Sequence, residues 1–236
     1  MQLEKLIERL PPHARLLDYG SFGWKLTKIS DRKDIHHHGC DIMMPAGKPN
    51  DAVFYQVDPL GRKIDVAADY FDLVVASHVL EHVTDPLDLF QELGHVCKPG
   101  GKIYIETPSD RSLTIKSDKD VQSHSFYSFW DDPTHIRPWT PAALYRLAVC
   151  HGYYPLEATY MTTWKDRFLF PIKWIIYSLA KNGHKLTEAL WAAKGWSCFV
   201  VIQKPTDATG RPLFKYLSLK DVPRGVESAL RLYDNP

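Results

Sequence analysis

The feature that most constrains the fold is an alternation, kept up along most of the chain, of short apolar strand patterns with helical ones. Phe71-Asp72-Leu73-Val74-Val75-Ala76 is apolar at successive positions, which calls for cover on both faces, as in a parallel sheet. A helix follows, opened by Pro86 with Asp85 as its N-cap and carrying Leu87, Leu89, Phe90, Leu93 and Val96. Pro99-Gly100-Gly101 is expected to stop it, and Lys102-Ile103-Tyr104-Ile105-Glu106 reads as the next strand. Upstream, residues 2–10 form a short amphipathic helix ended by Pro11 and Pro12. Strands are expected at Arg15-Leu16-Leu17-Asp18-Tyr19, at residues 35–41 and at Val53-Phe54-Tyr55-Gln56-Val57. Downstream, Thr140-Pro141 starts a helix that ends at Gly152, followed by strands over 153–161 and 197–203. Such an order predicts an α/β domain with a mostly parallel seven-stranded sheet, because right-handed crossovers place helices on both faces.

The length fits one domain, expected over residues 1–204, with residues 205–236 as a partly ordered C-terminal extension. With 29 basic and 28 acidic residues the formal net charge is +1, so no global field draws the chain to nucleic acid. Cys40, Cys97, Cys150 and Cys198 are widely spaced and form no CxxC pair, which points to reduced thiols rather than zinc or a disulfide framework. Residues 1–10 have no signal-peptide core, and no run reaches the ~20 apolar residues of a membrane span. A cytoplasmic location is the expectation.

Ligands of parallel sheets collect at the carboxyl ends of the strands. Asp18, Asp41 and Asp58 end the first three strands, and the first stands beside the turn Gly20-Ser21-Phe22-Gly23. Glycine lets backbone amides approach a ligand closely. A carboxylate after the second strand, about 20 residues past the glycine turn, can accept hydrogen bonds from both ribose hydroxyls. The pattern therefore predicts a nucleoside site, and by itself leaves a nicotinamide dehydrogenase and an S-adenosylmethionine (SAM) enzyme both open.

Four segments resemble class I SAM-dependent methyltransferases in order and spacing, over about residues 14–155. They are Leu16-Leu17-Asp18-Tyr19-Gly20-Ser21-Phe22-Gly23, Gly39-Cys40-Asp41-Ile42, the run from Phe71 to Val83 that contains Ser77-His78-Val79-Leu80-Glu81-His82, and Lys98-Pro99-Gly100-Gly101 through Pro108. The resemblance implies a Rossmann-like fold with SAM as cofactor. It places Asp18, Gly20 and Ser21 at the methionine part of SAM and Asp41 and Ile42 at the ribose. Asp58 falls near the adenine amino group, and Ser77 and His78 flank the cofactor. Phe22 and Trp24 stand where the family has small residues, so they are expected to narrow the methionine pocket or force the turn outward. A SAM-binding or scaffold protein without catalysis is the competing reading.

A hydroxyl acceptor benefits from a general base, most often histidine. His82 lies just past the fourth strand. His36, His37 and His38 alternate across a strand and cannot share a metal, so no metal is expected. The segment Phe129 to Pro141 combines Trp130, Asp132, Thr134, His135, Arg137 and Trp139 between stiffening prolines. Arg137 can grip an anionic group, and Trp130 and Trp139 can stack on a ring. This segment resembles Asp-Pro-Thr-His, Arg-Pro and Thr-Pro elements of bacterial methyltransferases of surface-polysaccharide pathways, which implies a small-molecule acceptor such as a sugar or nucleotide-sugar. His135 is then the leading base and His82 the second.

Residues 164–194 hold aromatic and basic side chains around an apolar stripe at near-helical spacing. Four placements compete: a helix buried against the body, a wall of the acceptor pocket, a dimer face, and a peripheral membrane contact.

Overall fold

The computed structural model describes residues 2–30, 32–58, 63–115 and 128–206. Seven strands form one sheet in the order β3-β2-β1-β4-β5-β7-β6. They are β1 Arg15–Tyr19, β2 His36–Asp41, β3 Val53–Gln56, β4 Phe71–Ser77, β5 Cys97–Pro108, β6 Tyr154–Tyr160 and β7 Ser197–Gln203. β7 runs antiparallel between β5 and β6, and the other neighbouring pairs are parallel. The helices are α1 Gln2–Glu8, α2 Leu26–Ile29, α3 Pro86–Val96, α4 Pro141–Cys150, α5 Trp164–Leu179 and α6 Gly183–Lys194. The α/β architecture expected from the alternation, and the Rossmann-like fold implied by the resemblance, are the ones observed.

Period-two alternation of the strands divides the core into two layers. Leu17, Val74, Ile103 and Val200 face one side and pack with Leu89, Phe90 and Leu93 of α3 and Leu144 and Ala148 of α4. Leu16, Leu73, Tyr104 and Phe199 face the other and pack with Leu3, Leu6 and Ile7 of α1 and Leu26 of α2. Asp72, the one charge inside the fourth-strand run, accepts from the Arg15 amide at 2.8 Å and pairs with Lys98 at 2.6 Å.

The Asp85 side chain caps α3 by accepting from the amides of Leu87 and Asp88. That helix ends at Val96, before Pro99-Gly100-Gly101. The proline and glycines instead lie within β5, at a break in register between the Phe71–Cys97 and Leu73–Lys102 pairs. A Cβ at Gly101 would stand 2.8 Å from both the Cys97 sulfur and the Lys98 carbonyl, so the bulge needs glycine there. Cys40, Cys97 and Cys198 are buried free thiols, and Cys150 is an exposed one. The C-terminal extension from 207 onward lies outside the described residues.

Register pairs align the carboxyl ends of β1, β2, β4 and β5 along one edge. Pro108 opposite Ser197 and Tyr160 opposite Cys198 add the end of β6 and the start of β7. The candidate site residues come from strand ends and from the segments that follow them on this edge.

Candidate functional site

Asp18 is buried near the end of β1. Burial pushes its carboxyl up to about 7; nearby Lys25 opposes the rise and the negative charge of Asp41 adds to it. Gly20 follows at φ +82°, and a Cβ there would meet Val79 Cγ2 at 2.5 Å, so this turn presses directly on the turn after β4. The amides of Gly20 and Ser21 both donate to the Cys40 carbonyl, at 2.8 and 3.0 Å. These two amides therefore tie the turn to β2 rather than reaching for a ligand. Ser21 is fully buried and its Oγ has no hydrogen-bond partner among the described residues.

The two bulky residues of the turn are accommodated in different ways. Phe22 is 77% exposed, whereas Trp24 is buried with φ +52° and meets Phe54 edge-on, ring centroids 6.2 Å apart. Gly39 makes this possible: a Cβ there would stand 2.7 Å from Ser21 Oγ and 2.8 Å from the Trp24 ring. The bulk expected to crowd the turn is taken into solvent by one ring and into the core by the other.

Asp41 ends β2, and its Oδ1 accepts from the Ile42 amide at 2.7 Å. Ile42 is half exposed, and its carbonyl accepts from Gln56 Nε2. Asp58 lies exposed just beyond β3. A buried carboxyl held up to about 7, coupled to a second carboxylate and set beside a glycine turn, suits a ligand with a cationic end. SAM carries an ammonium, a sulfonium and a ribose diol, so these residues fit it.

The turn after β4 holds a second group of charges. Ser77 is partly exposed at the strand end, and His78 follows at φ +57°, a strained conformation for a non-glycine residue. His78 Nδ1 lies 3.1 Å from Glu81 Oε1 and its Nε2 3.7 Å from Glu106 Oε1. Burial alone would lower the imidazole pKa, but the Glu81 hydrogen bond with the charges of Glu81 and Glu106 outweighs it and raises the pKa. Glu81 is fully buried, and its Oε2 accepts from the Thr107 hydroxyl at 3.0 Å.

The segment 128–140 lies against this turn. The Ile136 amide donates to the Glu81 carbonyl, and Arg137 Nη2 donates to the Thr84 carbonyl at 2.7 Å. His135 lies against His82 with ring centroids 4.9 Å apart and planes tilted by 53°, and its Nδ1 lies 2.6 Å from the Phe129 carbonyl. Thr134 Oγ1 sits 2.6 Å from Asp132 Oδ1 and 2.9 Å from His82 Nδ1. The His82 side chain is 35% exposed, that of His135 only 7%. Trp130 is exposed, but Trp139, expected at the acceptor, packs in the core. Its carbonyl accepts from the Asp110 amide and its own amide donates to Pro108, which fixes the segment to the end of β5. Among the described residues, Glu81, His82 and His135 bring one ligand atom each within 4.8 Å of one another, a grouping able to hold a metal ion.

Sequence reasoning thus names His82 and His135, which the fold brings together, but misses Glu81 and the pairing of Thr134 and Asp132 with His82. Glu81 had a signal: it stands three residues from His78 and next to His82. Thr134 and Asp132 stand in the segment the sequence singles out, but their contact with His82 had no signal, because His82 is some fifty positions away in sequence.

Comparison with known proteins bears on the fold and the family. Curated relatives include the ubiquinone biosynthesis O-methyltransferase of Xylella fastidiosa, 26% identical over 116 residues, which cover 45% of this chain and 47% of that protein. The human mitochondrial ubiquinone biosynthesis O-methyltransferase is 30% identical over 130 residues, 47% of this chain and 35% of that one. The chain spans about half the length, or less, of these relatives. Among solved structures, a SAM-dependent methyltransferase from Archaeoglobus fulgidus superposes with a TM-score of 0.57 at 21% identity, covering 86% of this chain and 91% of that one. One from Mesorhizobium loti gives 0.56 at 16% identity, covering 85% and 96%. The [4+2]-cyclase SpnF gives 0.57 at 20% identity, covering 87% and 81%, so likeness at this level speaks for the fold alone. A methyltransferase-domain family model matches residues 2–158, and the chain belongs to that family as a class I SAM-dependent methyltransferase domain.

Proposed function

We propose that the chain catalyses SAM-dependent O-methylation of a hydroxyl on a small-molecule acceptor, with His82 taking the proton and His135 positioning it. The observation that carries this reading is the chain Asp132–Thr134–His82. The Thr134 hydroxyl donates its one proton to Asp132, so its oxygen is left to accept from His82 Nδ1–H. The lone pair of the neutral ring then sits on Nε2, on a side chain exposed enough to meet an acceptor. His135 donates Nδ1–H to Phe129 and packs against His82, which holds that ring in place. The base therefore moves from His135, favoured by sequence, to its more exposed neighbour.

SAM, when bound, supplies an activated methyl on a sulfonium. Asp18 and Asp41 give the charge that suits its cationic end and ribose. The domain contributes mainly position, holding an acceptor oxygen in line beside the His82 imidazole. The names of the curated relatives support oxygen as the atom methylated. A sugar or nucleotide-sugar acceptor rests on the Asp-Pro-Thr-His segment and on the exposed Trp130 ring. The scaffold reading rested on Phe22 and Trp24 and loses its basis once the two rings are accommodated.

Transfer of labelled methyl from SAM to panels of sugar, nucleotide-sugar and phenolic hydroxyls tests the proposal. His82→Ala is expected to keep SAM affinity and lower turnover by roughly 10²–10⁴-fold, the range for loss of a general base. Full turnover in that variant, with an unchanged pH–rate profile, removes His82 from the mechanism. Failure of the wild-type protein to bind SAM removes the function.

A further inference from the structure

We propose that α5 docks on the surface of an anionic lipid bilayer, a function independent of the methyl-transfer reading. Helix α5 is amphipathic in the reverse sense. An ordinary surface helix turns its apolar stripe to the core. Here no α5 residue is buried. Trp164, Phe168, Ile172, Ile175 and Leu179 fall on one face at 100° per residue and are 72, 72, 54, 59 and 81% exposed. Asp166, Phe170, Lys173 and Tyr177, on the opposite side, are the half-buried ones. Asp166 and Lys173 pair there at 3.6 Å. The helix is not a fraying segment: Thr163 and Asp166 cap its start reciprocally, and α6 packs along it.

Charge selects the partner. Between residues 164 and 194 six basic residues stand against two acidic ones, in a chain that carries 29 and 28 overall. Lys165 and Arg167 flank the apolar stripe, and Lys181 and Lys185 sit exposed where α5 turns into α6. Two tryptophans, Trp164 and Trp174, stand on the exposed part of the helix. An apolar stripe edged by lysine and arginine, with amphipathic indoles, suits the boundary between acyl chains and anionic headgroups. No described helix is long and apolar enough to cross a membrane, so the contact is interfacial. At the root of α5 a cavity of about 780 Å³ is lined by Arg111, Arg167, Tyr160, Thr163, Trp164 and Phe168, which offers a phosphate two guanidinium groups beside apolar walls.

The hairpin leaves the sheet at the end of β6 and returns at the start of β7, on the edge that carries Asp18, His78 and His82. Docking through α5 therefore brings the candidate active site close to the lipid surface.

Flotation of the whole chain with vesicles tests this, comparing phosphatidylcholine alone with phosphatidylcholine containing phosphatidylglycerol. The wild-type chain is expected to float with the anionic vesicles and to bind neutral ones at least tenfold more weakly. Phe168→Ser combined with Ile175→Ser changes two exposed residues, so folding and SAM binding should persist, checked by circular dichroism and titration, while vesicle binding falls more than tenfold. Lys181→Gln and Lys185→Gln should each cost about fivefold on anionic vesicles. Failure of the wild-type chain to float, or equal binding to both vesicle types, overturns the proposal. So does a concentration-dependent dimer that the serine pair abolishes without any vesicle binding, which would assign the face to a second copy of the chain.

Discussion

Asp18 offers the sharpest test of how the cofactor pocket works. Its carboxyl is pushed up to about 7 by burial, with Asp41 adding to the effect and Lys25 opposing it. At neutral pH the empty pocket therefore holds Asp18 about half ionised. A ligand bearing an ammonium group favours the ionised form, so binding and deprotonation are coupled. A group titrating at about 7 is ionised in roughly one molecule in a hundred at about pH 5 and in one in two at about pH 7. The dissociation constant for S-adenosylhomocysteine should thus fall by about fiftyfold over that range, in which the ligand's own ammonium stays charged. Calorimetry in two buffers of different ionisation enthalpy at neutral pH should find release of about half a proton per site. Asp18→Asn removes the titrating group and should bind more weakly at neutral pH, with that part of the pH dependence gone. Equal pH dependence in the two proteins would refute the assignment.

The same carboxyl makes a prediction about the empty protein, with a definite sign. Its folded pKa lies above the ordinary 3.8, so the folded chain holds this proton to higher pH than the unfolded chain. The contribution to stability is fully present below 3.8 and is lost as pH rises toward about 7. That window corresponds to at most about 4 kcal/mol. Denaturant unfolding from acid to neutral pH should show the loss in the wild-type chain and not in Asp18→Asn.

Other positions give independent tests. Gly20→Ala forces a side chain into positive φ and onto Val79, and should destabilise the fold by about 1–3 kcal/mol in thermal unfolding. Adding Val79→Ala should recover only the part due to the clash. Asp41→Ala should weaken SAM binding by about 1–3 kcal/mol, the scale of charge-assisted hydrogen bonds; an unchanged dissociation constant in a folded variant would show that Asp41 does not hold the ribose. The His78 imidazole should titrate above its ordinary 6.5 by NMR, and Glu81→Gln should bring the midpoint down.

The fold was legible because strand and helix periodicity is local and is repeated at every element. Where a reading slipped, a local signal had two physical uses. Pro99-Gly100-Gly101 has the composition of a helix stop, but the same residues permit a bulge inside β5, and only pairing with β4 tells them apart. The site was half legible for a related reason. Positions that follow from strand ends, such as Asp18 and Asp41, can be read from periodicity, whereas Ser77 came only with the family resemblance. Partners across the chain cannot: Glu81 meets Thr107 and His82 meets Thr134 only through the tertiary fold. Trp139 shows the limit for aromatics, since its sequence neighbours do not say that its ring enters the core.

The first turn shows how one substitution can be compensated by a distant small residue. Read along the chain, Phe22 and Trp24 look like obstacles, because a bulky ring is judged against the residues beside it. Read in space, the relevant neighbour of Trp24 is Gly39, and any Cβ there would collide with both Ser21 and the indole. Gly39 lies on β2 beside Asp18 of β1, two residues before Asp41. The same stretch of β2 therefore makes room for the indole, accepts the Gly20 and Ser21 amides through the Cys40 carbonyl, and carries the expected ribose carboxylate. A larger residue at position 39 would displace the indole and the turn together, so the shape of the pocket depends on β2 as much as on the glycines of the turn. That coupling explains how a turn with two large aromatic residues can still leave Asp18 and Asp41 within electrostatic reach of each other.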